Sequence, residues 1–416
     1  MPEKIIDPLP EALPRRHVLI TSVPAHGHVN PTVAMVRELV RRGHRVTYAT
    51  QERFRTVLDP VGAQLLPTRF ELPVQRLDRD RFSGRLDFFA DMLRSDLPAV
   101  VTALERDQPD VIGYDMMTPL GSALAARWGV PAVRLVPTLL DNRHTVRREL
   151  QTGTSVPTRA GLADSLRGLR RVAGELGLSM SAVLTTMPSA DGNVVFLPRQ
   201  FQPCADTFEA SGHTFVGPSP TPPSPVDRNW SAPVHTGRLL YVSLGTALPE
   251  RGELLGLCGR AFHGTGWHVL IASAGEAVPG HDDHPDDVTI RSWVPQAEVL
   301  RSVDVFVTHA GTNSAMDALH AGVPTVSLPR TTDQTAIARR LHALGLGTWL
   351  APEDISPRSL RAAVESVWRD TGVRHQLHAM REAIASAGGA AAAADVIERA
   401  AARPRGVSAK QGYGTR

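Results

Sequence analysis

The stretch RRHVLITSVPAHGHVNPTVAMVRELVRRGHRVTYAT, residues 15–50, decides the fold. Its opening run, RRHVLITSV, is apolar and rich in β-branched residues, the signature of a strand. The run TVAMVRELVRRGH repeats apolar residues at helical spacing, with Val33, Val36, Leu39 and Val40 on one face and Gly43 as the stop. Between them VPAHGHVNP, residues 23–31, reads as a strand-to-helix turn, with Asn30 as N-cap and Pro31 as first helical residue. RVTYAT, 45–50, is the next strand. A strand–helix–strand unit of this length implies a parallel sheet, whose ligands bind beyond the carboxyl ends of its strands. His26 and His28 sit at that end.

Composition narrows the class. At 416 residues, 42% hydrophobic and 21% charged, the chain has room for two or three globular domains with full cores. The formal net charge of +3 is small, and basic residues are scattered along amphipathic stretches such as DSLRGLRRVAGEL, 164–176, so no nucleic-acid partner is expected. Cys204 and Cys258 form neither a disulfide framework nor a metal spacing. The N-terminus is too proline-rich and polar for a signal peptide, and no apolar run approaches the roughly 18 residues of a membrane span. A cytoplasmic protein is expected. All but two of the 45 basic residues are arginines, and the two lysines, Lys4 and Lys410, lie in the tails. Phosphate-loop and Schiff-base chemistry need a fixed central lysine, so both are excluded.

Residues 218–233, PSPTPPSPVDRNWSAP, hold six prolines and read as an extended, semi-rigid spacer. The expected organisation is an α/β domain over 1–217, a linker over 218–236, a second α/β domain over 237–385, and a C-terminal helix and tail over 386–416. Residues 66–109 and 138–190 show less regular patterning and suit lid or pocket-lining roles. Two similar halves on a proline hinge suggest a cleft enzyme with one ligand per half. A dehydrogenase shares that plan but needs G-x-G-x-x-G after its first strand, where this chain has PAHGHVN. The nearest alternative, GLGTWL at 345–350, lacks the third glycine.

The run VDVFVTHAGTNSAMDALHAGVPTVSLPRTTDQ, 303–334, carries the most chemistry. Its turn HAGTNS uses small residues, so a ligand can approach the backbone, and the N–H groups opening the next helix can bind an anion such as a diphosphate. His309 can donate to one phosphate, Asn313 and Ser314 to the other, and Asp317, on the same helix face as Asn313, can accept from ribose hydroxyls. A capped helix with an exposed acid is the bland alternative for Asp317 alone. VSLGT, 242–246, ends in a second small-residue turn with Ser243, Gly245 and Thr246. SWVPQ, 292–296, offers Trp293 for stacking on a base and Gln296 for reading base or ribose, while Asp333 and Gln334 pair a carboxylate with an amide, a set suited to adjacent sugar hydroxyls.

In this order, GHVNP, WVPQ, HAGTNSAMDALHAGVP and DQ resemble the inverting nucleotide-sugar glycosyltransferases of the GT-B fold, most closely the bacterial macrolide and antibiotic enzymes of the UDP-glycosyltransferase superfamily. The resemblance implies two Rossmann-like domains facing a cleft, acceptor in the first and nucleotide sugar in the second. It implies that Trp293 stacks on the base with Val294 beside it, that Gln296 and Asp317 hold the nucleoside, that His309, Gly311, Asn313 and Ser314 hold the diphosphate with Ser243, Gly245 and Thr246, and that Asp333 and Gln334 hold the sugar. Two positions depart from it: the family often has Glu where Asp317 stands, and the antibiotic enzymes often have Asn where Ile337 stands.

Glycosyl transfer to a hydroxyl requires removal of the acceptor proton as its oxygen attacks, and a positioned histidine gives about 10²–10⁴-fold by general-base catalysis. The family pattern aligns that base with His28, leaving His26 to shape the loop or touch the acceptor. The positive end of the helix keeps the ring neutral. Asp115, ending the strand DVIGYD, is the candidate to orient it, as in hydrolase triads, although an acid before TPLGSALAARWG can also simply cap that helix. The expected activity is metal-independent, inverting transfer of a hexose, glucose from UDP-glucose, to a hydroxyl of an apolar small molecule such as a macrolide, with no resident cofactor. Alternatives are an antibiotic glycosyltransferase using a nucleotide-linked deoxysugar, an epimerase on the same fold, and a catalytically silent nucleotide-binding partner of a transferase. DRD, 78–80, and HDDH, 281–284, nominally offer acids for a metal but read as polar loops.

Overall fold

The computed structural model describes residues 14–71, 83–142, 144–145, 159–183, 189, 191–219, 230–233, 237–246, 251–279 and 287–405. Two parallel sheets organise them. The first contains β1 (His17–Thr21), β2 (Arg45–Thr50), β3 (Gln64–Pro67), β4 (Val111–Asp115), β5 (Ala132–Val136), β6 (Asn193–Val195) and β7 (His213–Phe215), in the order β3-β2-β1-β4-β5-β6-β7. The second contains β8 (Arg238–Ser243), β9 (Trp267–Ala272), β10 (Val288–Arg291), β11 (Val305–Thr308), β12 (Thr325–Ser327) and β13 (Gly347–Trp349), in the order β10-β9-β8-β11-β12-β13. Strands such as VLI at 18–20 and VFV at 305–307 are apolar throughout because helices cover both faces of each sheet.

Each strand order reverses once, between β1 and β4 in the first sheet and between β8 and β11 in the second. At such a reversal the connections leave in opposite directions and open a crevice at the carboxyl ends of the strands. Four of the turns that the sequence marks for chemistry follow β1, β4, β8 and β11, at the two reversals; SWVPQ follows β10 and TTDQ follows β12.

The main helices are α1 (His26–Arg41), α2 (Ser83–Leu104), α3 (Pro119–Trp128), α4 (Arg159–Glu175), α5 (Gly252–Phe262), α6 (Thr312–Ala321), α7 (Thr332–Ala343), α8 (Pro357–Arg369), α9 (Thr371–Ser386) and α10 (Gly389–Ala401). In the first domain α1 and α10 share one core with Ile20, Val46 and Val133, and α2, α3 and α4 share the other with Leu19, Ile112 and Tyr114. A third core joins the domains: Met116, Val136, Leu140 and Phe201 of the first pack with Ala310, Met316, Ile337, Leu341 and Met380 of the second. Arg340 adds a polar tie, donating to the carbonyls of Phe201 at 2.7 Å and Gln200 at 2.8 Å.

The chain ends on the domain it began with. Past Gly388, which takes a left-handed φ of 87°, α10 crosses back, and Arg42 binds Asp395 and Glu398 at 2.6 Å each while His44 Nε2 stands 2.9 Å from Glu398.

Several sequence expectations need correction. The first helix begins at His26 rather than at Pro31, and its N-cap is Ala25, not Asn30. Pro31 lies inside the helix, where the hydrogen bond it forfeits would have gone to the carbonyl of Gly27, an exposed residue of the first turn. Within 66–109 lies the 22-residue helix α2. GLGTWL, already unfit as a dinucleotide turn for want of its third glycine, contains the edge strand β13. Most of the proline-rich linker, the tail beyond Arg405 and both DRD and HDDH lie outside the described residues.

Candidate active site

His28 occupies the first turn of α1, directly after β1, and Asp115 is the last residue of the adjacent β4. The strand reversal therefore brings residues 87 positions apart into contact: His28 Nδ1 lies 2.7 Å from Asp115 Oδ2. Asp115 is fully buried, and its other oxygen accepts from the Met117 N–H at 2.7 Å. It is not the cap of α3, a role filled by Thr118, whose hydroxyl accepts from Leu120 N–H. A carboxylate can only accept, so Nδ1 of the imidazole carries the proton and Nε2 of the neutral ring keeps its lone pair. That ring remains partly open, at 23% exposure.

His26, two residues earlier, packs edge-on against Phe54 at 5.1 Å and lies 6.2 Å from Trp293 of the second domain. Desolvation, reinforced by the nearby Arg53 charge, holds its imidazole below the usual range. Trp293 is 58% exposed, the one large hydrophobic side chain so open among the described residues. Its neighbour Val294 is buried in the core beneath it, so only its backbone can face a ligand.

Opposite β1 and β4 stands the switch point of the second sheet. α6 opens at Thr312 with Gly311 as N-cap, no side-chain cap and no acid in the first turn. Its first N–H groups are thus uncommitted within the helix, the electrostatics of an anion site. Asn313 and Ser314 lie in that turn. His309 fits between the two small-residue turns: a Cβ at Gly245 would stand 2.7 Å from its Nε2, and one at Gly311 2.4 Å. Both glycines are therefore required by the ring. Burial first, then the charge of Arg251, lowers the His309 pKa to about 4, so the ring is neutral. Between them Ala310 adopts a left-handed φ of 61°, at about 1 kcal/mol for a non-glycine residue, while its methyl packs into the interdomain core. Ser243 ends β8 partly buried, and Thr246 is exposed beyond it.

Gln296 donates to Asp317 Oδ2 at 2.7 Å and approaches Ser314 Oγ at 3.5 Å. Burial pushes the Asp317 carboxyl up to about 6, against the Gln296 hydrogen bond. Asp333 lies exposed in the first turn of α7, and Gln334 is engaged locally: its side-chain oxygen accepts from Arg330 N–H at 2.8 Å while its own N–H donates to Thr331. Ile337 is buried in the interdomain core and faces no sugar.

Two features escape sequence reasoning. Thr138, after β5, shares a 2.9 Å hydrogen bond with Thr312 at the head of α6, one of the ties across the cleft. Arg251, buried behind the β8 turn, pairs with Glu276 at 2.9 Å. No local pattern connects either pair.

Two facing switch points, one with a histidine–carboxylate couple and the other with an uncapped helix start beneath an exposed tryptophan, define a two-domain glycosyltransferase of the GT-B type. Comparison with known proteins agrees. Residues 267–399 match the family model described as erythromycin biosynthesis protein CIII-like, C-terminal domain. The chain is 35% identical over 393 residues to NDP-glycosyltransferase YjiC of Bacillus licheniformis, covering 92% of this chain and 97% of that relative. It is 33% identical over 398 residues to demethyllactenocin mycarosyltransferase of Streptomyces fradiae, covering 92% and 86%. Among solved structures it is similar to a calicheamicin glycosyltransferase, with a TM-score of 0.80 and 33% identity over 94% of this chain and 99% of that one. The chain belongs to the UDP-glycosyltransferase family, among its macrolide and antibiotic glycosyltransferases.

Proposed function

We propose that this enzyme transfers a hexose, with inversion, from a nucleoside diphosphate to a hydroxyl of an apolar small molecule of the macrolide or polyketide kind, using His28 as general base. The observation that carries the reading is the 2.7 Å contact between His28 Nδ1 and the buried Asp115. With Nδ1–H held there, Nε2 takes the acceptor proton as the acceptor oxygen bonds to the anomeric carbon. The bond from that carbon to the diphosphate oxygen breaks on the opposite face, so an α-linked donor gives a β-glycoside. Asp115 balances the charge the ring gains. His309 and the first N–H groups of α6 receive the charge the leaving diphosphate gains, work that a cation does in other transferases. No metal or other cofactor is part of this mechanism. Trp293 stacks on the base, and Gln296 with Asp317 holds the ribose.

For the donor sugar, Asp333 and Gln334 support a fully hydroxylated hexose, glucose from UDP-glucose. A carboxylate engaging adjacent hydroxyls is left unpaired by a sugar lacking them, which costs about 1–3 kcal/mol or more. The exposure of Asp333 favours a second reading, a deoxysugar donor, because an exposed carboxylate bears little of that cost. Among the described residues no helix is long and apolar enough to cross a membrane, and we place the reaction in the cytoplasm. The test is mass-spectrometric screening of the purified chain with UDP-glucose and thymidine-linked deoxysugars against hydroxylated aglycones. Turnover by the chain alone separates an enzyme from a silent partner, and no product with any pair defeats the proposal.

A further inference from the structure

The turn after β8 is held from behind by a charged pair. Arg251, only 5% exposed, stands just before α5, and its guanidinium binds Glu276, Nε at 3.0 Å and Nη2 at 2.9 Å from Oε1. The Arg251 backbone N–H donates to the other Glu276 oxygen at 2.7 Å. Glu276 comes from the turn following the neighbouring strand β9, where Ala274 and Gly275 take left-handed φ values of 51° and 82°. With its remaining nitrogen, Nη1, the guanidinium donates to the carbonyl of Gly245.

We propose that Arg251 is a positioning residue for the leaving diphosphate: by holding the Gly245 carbonyl it fixes the Gly245–Thr246 peptide so that the Thr246 N–H points into the cleft, toward the terminal phosphate. The argument is geometric. In a trans peptide the C=O and the following N–H point in opposite directions. The carbonyl is drawn inward to a buried arginine, so the N–H is turned the other way, at exposed Thr246, in a turn that lies against the His309 ring, where a Cβ on Gly245 would stand 2.7 Å from Nε2. A preset N–H aimed where charge develops needs no rearrangement during reaction. Glu276 fixes the guanidinium in turn, so the pair ties the turn after β8 to the turn after β9. Gly245, with a φ of 79°, is free to let the peptide rotate once the arginine is gone.

This inference rests on the proposed nucleotide-sugar chemistry, and the test separates the two. Binding of UDP and UMP, and of dTDP and dTMP, is measured by calorimetry on the wild-type chain, Arg251→Gln and Glu276→Gln, alongside melting temperature and the KM and kcat of transfer. Expected is a loss of about tenfold or more in diphosphate affinity for Arg251→Gln, with monophosphate affinity changed less than about twofold and kcat lowered rather than KM alone raised. Glu276→Gln, which keeps the arginine but loosens it, should show the same selectivity to a smaller extent, and keeps the test open if Arg251→Gln does not fold. Parallel loss of mono- and diphosphate binding, or no loss of either, overturns the role of Arg251 while leaving the functional reading intact. A folded wild-type chain that binds neither diphosphate overturns both.

Discussion

Asp317 gives the donor site a titration that can be measured. Its carboxyl is raised from 3.8 to about 6 by burial, with Gln296 as the only opposing hydrogen bond. In the proposed donor site ribose hydroxyls donate to it, and only the carboxylate accepts on both oxygens. With a value near 6, the carboxylate fraction falls from about 0.99 at pH 8 to about 0.09 at pH 5, so nucleotide-sugar affinity should weaken about tenfold over that interval. The assay is the dissociation constant of UDP-glucose at half-unit steps of pH. The sugar nucleotide is preferred to free UDP because its phosphates do not titrate in this range. Asp317→Asn should bind more weakly at pH 8 and lose most of the pH dependence, and any slope it retains belongs to other groups, His26 among them. The same shift acts on stability with opposite sign. An acid whose folded value is raised contributes most below its unfolded value and loses that contribution as pH climbs through about 6. A shift of about two units corresponds to about 3 kcal/mol, an upper bound for a side chain still partly in contact with water. Asp317→Asn should therefore be more stable than wild type at pH 7.5 and no more stable at pH 4. A flat affinity profile in wild type between pH 8 and pH 5 would refute the reasoning.

Four further outcomes are expected. His28→Ala should lower transfer by about 10²–10⁴-fold with donor affinity and fold retained, whereas His26→Ala should be much milder; near-wild-type turnover in the first removes the base assignment. Gly311→Ala should displace the His309 ring, which a Cβ would meet at 2.4 Å, and weaken UDP binding; the backbone φ of −61° suits alanine, so the loss of thermal stability should be that of crowding the ring, about 1–3 kcal/mol. Trp293→Ala, removing an exposed ring, should cost about 1–3 kcal/mol of nucleotide affinity in titration calorimetry and almost nothing in melting temperature. Activity should persist in EDTA, and loss on chelation restored by magnesium or manganese would reopen the case for the acids of DRD and HDDH.

The sheets were legible wherever β-branched runs stood between helical patterns, which is why β1, β2 and β4 fall on RRHVLITSV, RVTYAT and DVIGYD, the runs read as strands. β3 and β7 escaped because QLLP and HTF are too short to show a period. α2 had its signal in Leu86, Phe89, Leu93, Leu97 and Val100, but Pro98 interrupts it, and the sequence does not reveal that tertiary packing holds the helix through the proline. The Asn30–Pro31 pair looked like a helix start because local cap preferences are strong, yet the helix begins one turn earlier, at His26. In the site, residues gathered in contiguous turns, His309 to Asp317, could be grouped from sequence. Arg251 with Glu276 and Thr138 with Thr312 could not, since the first contact is created by the pairing of β8 with β9 and the second by the docking of one domain on the other. TTDQ carries its own ambiguity: Gln334, read with Asp333 as a sugar ligand, is also placed to close a helix start, its side-chain oxygen accepting from Arg330 N–H and its N–H donating to the capping hydroxyl of Thr331.

The return of α10 bears on how this enzyme can be rebuilt. A chimera joined at the proline-rich spacer alone would graft the last helix of one parent onto the first domain of another. Ala393, Val396, Ile397 and Ala400 would then have to fill a core they did not evolve with, and Asp395 and Glu398 would have to find replacements for Arg42 and His44. An exchange of acceptor halves has its natural seams at two places, the spacer and Gly388–Gly389, and residues 389–405 should travel with the domain they cover rather than with the one they follow.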